Sequence, residues 1–289
     1  PVVNDELYLE EHRGTFTTKA ALKKLNRRSE FLYREAEMWA VFSSAQMPAN
    51  DLKKGWIHIL NNQFHDSLPG SHITAVYHDL LESYDEATAI GENMRDAALG
   101  HIVQTIDTRG DGMAAVVFNR LGRPRTTLAN VDLEQRPVRV LDPEGTEVPH
   151  QWVEASVSGD QGLIFEAHDV PAAGYRIYRI VDCTEEPEKA SFPTVKVSES
   201  HLENDHVRVD IDHSGVVVSL RDKRTDRECI CRANGGGNVL KLYEDVPGKY
   251  EAWDIAPTYT EVEFDIGEAD IGVVEEGPVR SAIEIRRLF

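Results

Sequence analysis

Near residue 110 the chain changes its hydrophobic period, and that change fixes the class of fold open to it. Upstream, apolar and small residues recur at alternating steps of three and four. Leu22, Leu25, Ser29, Leu32, Ala36, Trp39 and Ser43 mark one stripe. Leu52, Trp56, Ile59, Leu60 and Gln63 mark a second. Ile73, Val76, Leu80, Tyr84, Ala87, Met94 and Ala98 mark a third, which runs to about Ile106. Each is the buried face of an amphipathic helix. Pro48 and Pro69-Gly70 punctuate the stripes, and Thr18, Asn50 and Ser71 are the candidate N-caps. Three helices with short connections predict an antiparallel bundle over residues 15–108.

Beyond Gly110-Asp111-Gly112 the period falls to two. Residues 114–119, 138–140, 175–180 and 207–211 read as strands. Asp142-Pro143-Glu144-Gly145, Ser158-Gly159-Asp160, Ala173-Gly174 and His213-Ser214-Gly215 read as the turns between them. The predicted class is α+β and multidomain: a three-helix bundle followed by antiparallel, sandwich-like β domains. The Glu-rich stretch 184–193, with two prolines, divides a small β domain (109–190) from the start of another (191–289).

A length of 289 residues allows two or three domains. Fifty Asp and Glu against 31 Lys and Arg give a formal charge of −19. That excludes nucleic acid as a partner, because such affinity rests on cations meeting phosphates. No apolar run approaches the roughly 20 residues of a membrane helix, so no membrane partner is expected. The start, Pro1-Val2-Val3-Asn4, has no signal-like core. It also lacks an initiator Met, and the far end, Arg286-Arg287-Leu288-Phe289, sits in a strand pattern. The expectation is an interior piece of a longer polypeptide. Three cysteines, Cys183, Cys229 and Cys231, suit a reducing compartment, and the expected location is cytoplasmic. They read as packing residues, since Cys229-Ile230-Cys231 has no second pair to make a zinc knuckle. A homo-oligomer is compatible with the sequence, which leaves stoichiometry open.

The second helix stripe runs into Gln63-Phe64-His65-Asp66 and breaks at Pro69-Gly70. A His-Asp pair is thereby left at a helix end beside a turn, where side chains are presented rather than packed. Read alone, His65 would be a cation at a helix C-terminus, and Asp66 a turn residue bonding its own backbone. The stretch 62–71, NQFHDSLPGS, resembles the NQFHD-x-LPGS segment of glycoside hydrolase family 38, the retaining α-mannosidases. The lead-in at 4–18, NDELYLEEHRGTFTT, resembles the GELYLE-x-HRGTYTS segment of bacterial and cytosolic members, with departures at Asp5 and Thr18.

The resemblance implies a zinc-dependent enzyme acting on α-mannosides, with one zinc ion. It implies that His65 is a metal ligand and that Asp66 holds a sugar hydroxyl. It assigns residues 1–14 to the tail of a catalytic domain. The nucleophile and the other three zinc ligands belong to the part of that domain preceding Pro1 in family order. A glycosidase needs a carboxylic acid to protonate the leaving oxygen. In one branch of the family an Asp lies eight residues ahead of the matching Gly, in the stretch that supplies this acid/base. Counting back from Gly14 lands on Glu6, the candidate catalytic residue, with Glu10 the alternative.

A third segment, Lys249-Tyr250-Glu251-Ala252-Trp253-Asp254-Ile255, resembles the family's Y-D-A-W-D-I stretch. Its Trp between carboxylates suits either a sugar face or the anchoring of a β core. Asn234-Gly235-Gly236-Gly237-Asn238 is followed by a strand pattern, so it reads as a turn and not as a phosphate cradle. Two rival readings stand beside the mannosidase. One is a non-catalytic carbohydrate-binding or structural helix-plus-β-sandwich protein. The other is hydrolysis of a mannosyl-glycerate type solute within the same family.

Overall fold

The computed structural model describes residue 2 and residues 12–43, 48–154, 161–184, 192, 195–231, 233, 235–246 and 248–289. These fall into two compact units.

One unit holds residues up to Asp107 together with Tyr243–Glu263. It contains α1 (Ala20–Phe42), α2 (Ala49–Asn62) and α3 (Thr74–Val103), preceded by a short 3-10 turn at Arg13–Phe16. The predicted stripes face inward: Leu22, Leu32, Ala36, Trp39, Ile59, Leu80, Tyr84, Ala87, Met94 and Ala98 are buried. Leu32, Tyr33, Ile59 and Ala87 make one cluster, with Leu52, Trp56 and Ile90 against it. Leu22, Leu80 and Tyr84 make another, nearer the start of α1. Tyr33 is fully buried, and its hydroxyl donates to the Ala87 carbonyl at 2.7 Å. Room for that ring depends on two glycines. A Cβ on Gly55 would stand 2.5 Å from Tyr33 Cε1, and one on Gly91 would stand 2.9 Å from Tyr33 Cε2. The helices close on this tyrosine because neither position carries a side chain.

Several local expectations are corrected. The first helix starts at Ala20, after Lys19 in the left-handed region, and Thr18 does not cap it. Asn50 lies inside α2, whose N-cap position is Pro48. Ser71 stands ahead of Ile73, the N-cap position of α3. Thr18 and Ser71 instead donate their hydroxyls to other partners, described below. Leu60 and Ile73, assigned to buried stripes, are exposed. The inward face of α2 runs through Gly55, Ile59 and Asn62, which turns Leu60 outward.

The second unit, Thr108–Leu242 with Phe264–Phe289, is β throughout its described elements. Strands β1 (Met113–Asn119), β2 (Arg125–Val131), β3 (Val138–Leu141), β4 (His150–Val153), β5 (Gly162–Val170) and β6 (Gly174–Asp182) form two three-stranded sheets, ordered β1-β6-β3 and β2-β5-β4. Val138, Val140, Tyr178 and Ile180 from one sheet meet Leu163, Phe165, Ala167 and Val170 from the other in a shared core, which makes this a sandwich. Strands β7 (Lys196–Ser198), β8 (His201–Glu203), β9 (Val207–Ile211), β10 (Val217–Asp222) and β11 (Arg227–Glu228) form a meander paired in sequence order. Strands β12 (Leu242–Tyr243) and β13 (Glu263–Phe264), which pair, are where the chain leaves this unit and returns to it, and β14 (Asp270–Glu275) pairs with β15 (Ala282–Arg286). The α+β class and its order, helices before antiparallel sheets, are as the sequence predicts. Cys229 and Cys231 are exposed, so they are not packing residues; Cys183 is partly buried. No helix among the described residues is long and apolar enough to cross a membrane.

Candidate functional site

The helical unit brings together the three segments that stood out in the sequence. The helical ladder of α2 ends at Asn62, and the chain turns through 63–70 before α3 begins. Ser67 and Leu68 both donate backbone N–H groups to the Phe64 carbonyl, at 2.9 and 3.2 Å, and Gly70 donates to Ser67 at 3.2 Å. Gly70 adopts φ +89, and a Cβ there would stand 2.8 Å from the Thr18 carbonyl oxygen. Glycine is required on both counts.

This loop presents His65 three residues past the helix end. Its side chain is 75% exposed, and Nε2 lies 3.4 Å from Asp66 Oδ2. Asp66 is half-exposed and takes a hydrogen bond from the Ser71 hydroxyl at 3.1 Å. The Phe64 ring lies against the His65 ring with centroids 4.2 Å apart. The pair is thus an accessible imidazole beside an accessible carboxylate that also accepts from one serine.

Two anchors hold the loop from beneath. Gln63 Nε2 donates to Asn26 Oδ1 at 2.9 Å and to Glu30 Oε1 at 3.2 Å, and the buried Tyr84 hydroxyl donates to Asn26 Oδ1 at 3.3 Å. Gln63 was expected in an apolar stripe; it is a member of a partly buried polar network instead. The second anchor is Lys23. Its Nζ lies 2.5 Å from the Thr18 carbonyl oxygen, 2.8 Å from that of Leu68 and 3.1 Å from that of Pro69. An ammonium has three protons, and here they meet three carbonyls. Burial pushes the Lys23 pKa below its ordinary value.

The 12–18 turn leans in turn on residues 250–255. Gly14 donates its N–H to the Trp253 carbonyl at 2.9 Å. Arg13 pairs with Asp254 at 3.1 Å and donates to the Ile255 carbonyl at 3.2 Å. The Thr18 hydroxyl lies 2.7 Å from the Gly14 carbonyl oxygen and 3.1 Å from that of Ala252. The rings of His12 and Trp253 stack at 5.7 Å, and those of Trp253 and Tyr250 at 6.0 Å. Trp253 is therefore not the anchor of a β core. It sits in the helical unit with its ring already against two others.

Glu6 and Glu10 lie outside the described residues. Zinc takes His nitrogen and carboxylate oxygen, usually four ligands in all. His65 fits as one of them, in donor type and in access. Among the described residues no three of His, Cys, Asp and Glu gather as a metal site. The described residues thus offer one candidate ligand and no complete set. Lys23 and Asn26 were missed by sequence reasoning. For Asn26 the signal was available: a polar residue at helical spacing between Leu22 and Ser29, on the buried face. Lys23 carried none, because two of its three partners lie 45 and 46 residues away.

Two family models match the chain. Residues 10–102 match the alpha mannosidase middle domain, and residues 202–289 match the glycosyl hydrolases family 38 C-terminal domain. The chain is 25% identical to alpha-mannosidase G of Dictyostelium discoideum, over 97% of its own length and 28% of that protein. It is 30% identical to alpha-mannosidase 2C1 of Mus musculus, over 96% of its length and 25% of that protein. It thus spans about a quarter of the length of these curated relatives. Among solved structures, an alpha-mannosidase from Enterococcus faecalis V583 superposes with a TM-score of 0.73 at 16% identity, covering 95% of this chain and 35% of that one.

Proposed function

Since the chain belongs to glycosyl hydrolase family 38, we propose that it forms the middle and C-terminal part of a zinc-dependent retaining α-mannosidase. The observation that carries this reading is the convergence in one unit of the 12–18, 63–71 and 250–255 segments, with His65 and Asp66 presented at the loop they support. A binding or structural module has no need of an accessible His-Asp pair clamped this way, whereas a metal-assisted glycosidase does.

In this reading His65 gives one imidazole nitrogen to zinc, and Asp66 accepts a hydrogen bond from a sugar hydroxyl. Bound zinc would supply Lewis-acid grip on two adjacent sugar hydroxyls. Glu6 protonates the departing glycosidic oxygen and then takes a proton from the attacking water, as retention requires of its acid/base residue. The attacking carboxylate and the remaining metal ligands are assigned to other parts of the polypeptide. The clamp on residues 64–70 keeps the His65 and Asp66 backbones fixed while the sugar binds, which is how positioning lowers a barrier.

The test uses the full gene product. It is assayed on p-nitrophenyl α-mannoside, β-mannoside and α-glucoside, with the anomer of the first-formed sugar followed by NMR. Cleavage of the α-mannoside with retained α configuration is expected. A folded, zinc-replete protein that leaves the α-mannoside intact, or that releases the β anomer first, would overturn the reading.

A further inference from the structure

We propose that Lys23 is a positioning residue for the His65–Asp66 loop. Its ammonium clasps the carbonyls of Thr18, Leu68 and Pro69 and so ties the 12–18 turn to the backbone that presents the pair. The assignment to zinc and sugar rests on the function proposed above; the clasp itself does not.

The geometry is specific to a lysine. Three acceptors converge on one nitrogen from two separate loops, and an ammonium offers three protons from a single point. A guanidinium spreads its donors over a planar fork and cannot meet that convergence. Hydrogen bonds from a charged donor are about twice as strong as neutral ones. The site is partly buried, so solvent competes weakly for the carbonyls. Among the described residues, the other hydrogen bonds of the 67–70 backbone are local. Its own backbone bonds are the short turns from Phe64 and Ser67, and Gly70 sits against Thr18 with no side chain to interlock. Removing the ammonium leaves three inward carbonyls with no cation. The loop would then sample several backbone states, carrying His65 and Asp66 with it.

Lys23→Met keeps the length of the stem and removes all three donors; Lys23→Arg keeps the charge and changes its shape. In this 289-residue chain, amide hydrogen exchange is compared at Ser67, Leu68, Gly70 and Thr18. Both variants are expected to exchange at least tenfold faster there, with α3 and the β5–β6 core unchanged. In the full gene product, the zinc concentration for half-maximal activity is expected to rise at least tenfold, with activity restored by excess zinc. Unchanged exchange in α3 and in the β5–β6 core separates this outcome from a general loss of packing, which metal binding could also offset. Should Lys23→Met unfold, Lys23→Gln takes its place, with one short amide donor.

Unchanged loop exchange in the Met or Gln variant overturns the clasp. Faster exchange with an unaltered zinc requirement overturns the link to His65. A wild-type enzyme that needs no zinc overturns the proposed function instead, and the exchange measurement then decides on Lys23 alone.

Discussion

Gly55→Ala should destabilise the helical unit, against the ordinary rule that Ala improves a helix. The rule is worth about 1 kcal/mol in favour of Ala in a helix interior. At this position the new Cβ would overlap Tyr33 Oη and Cζ and stand 2.5 Å from Cε1. Tyr33 has nowhere to retreat: it is fully buried, bonded to the Ala87 carbonyl and backed by Gly91. Overpacking of this kind costs about 1–3 kcal/mol. Displacing the hydroxyl leaves a buried donor and acceptor unpaired, for about 1–3 kcal/mol more. The net expectation is a loss of about 3 kcal/mol, or roughly 10 °C in the melting temperature of a unit this size. The assay is thermal and urea unfolding by circular dichroism at 222 nm. Gly100→Ala is the control, because nothing lies within 4 Å of its would-be Cβ; it should gain up to about 1 kcal/mol. Tyr33→Phe in the Gly55→Ala background should recover part of the loss, since the ring carbons remain in the way. A Gly55→Ala protein that melts at or above the wild-type temperature would refute the packing argument.

In the full gene product, Glu6→Gln should slow substrates with poor leaving groups by about 10²–10⁴-fold while sparing activated aryl mannosides, and azide should restore deglycosylation; equal small losses on both substrates would shift the role to Glu10. Alkali should unfold the helical unit through Tyr33 and Tyr84, whose phenols are pushed up to about 12 chiefly by burial, with Asp51 and Glu30 adding to it. An unfolded tyrosine ionises near pH 10, so stability is full below pH 10 and falls as pH rises from 10 to 12, by about 3 kcal/mol per residue; a flat urea midpoint across that window would contradict this. Acid should weaken β9–β11. Asp222 is held down to about 2 by its hydrogen bonds from Arg224, and Glu228 to about 2 by the Ser219 hydroxyl and nearby backbone amides. Their contribution is present above pH 4–5 and lost as pH falls toward 2. Amide exchange in β10 should show it, and Glu228→Gln should flatten the dependence; a wild-type profile in that variant would count against the assignment.

The helices were legible because a 3.6-residue period survives wherever one face is buried, and the Leu22-to-Trp39 stripe is the plainest case. Strand β5 was not legible: four of its first four residues are buried, so its sequence shows no alternation to read. The caps failed for a related reason. Thr18 and Ser71 are good capping residues by type, but the helices begin one and two residues later than a cap there would need, and the two hydroxyls bond the Gly14 and Ala252 carbonyls and the Asp66 carboxylate. The motif spelling singled out His65 and Asp66 as candidates, while local pattern could not show what holds their loop. Thr18 and Ala252 are 234 positions apart, and Arg13 and Asp254 are 241 apart. Contacts of that reach leave no periodic trace in a sequence.

The most direct test of the proposed function is zinc content measured beside activity in the His65→Ala form of the full gene product. The wild type should carry one zinc per chain and cleave p-nitrophenyl α-mannoside. His65→Ala should lose metal and activity together, with unchanged circular dichroism, because the ring is largely exposed and the ring it lies against, Phe64, is itself exposed. Zinc retained at wild-type stoichiometry in that variant would contradict the assignment of His65 as a ligand.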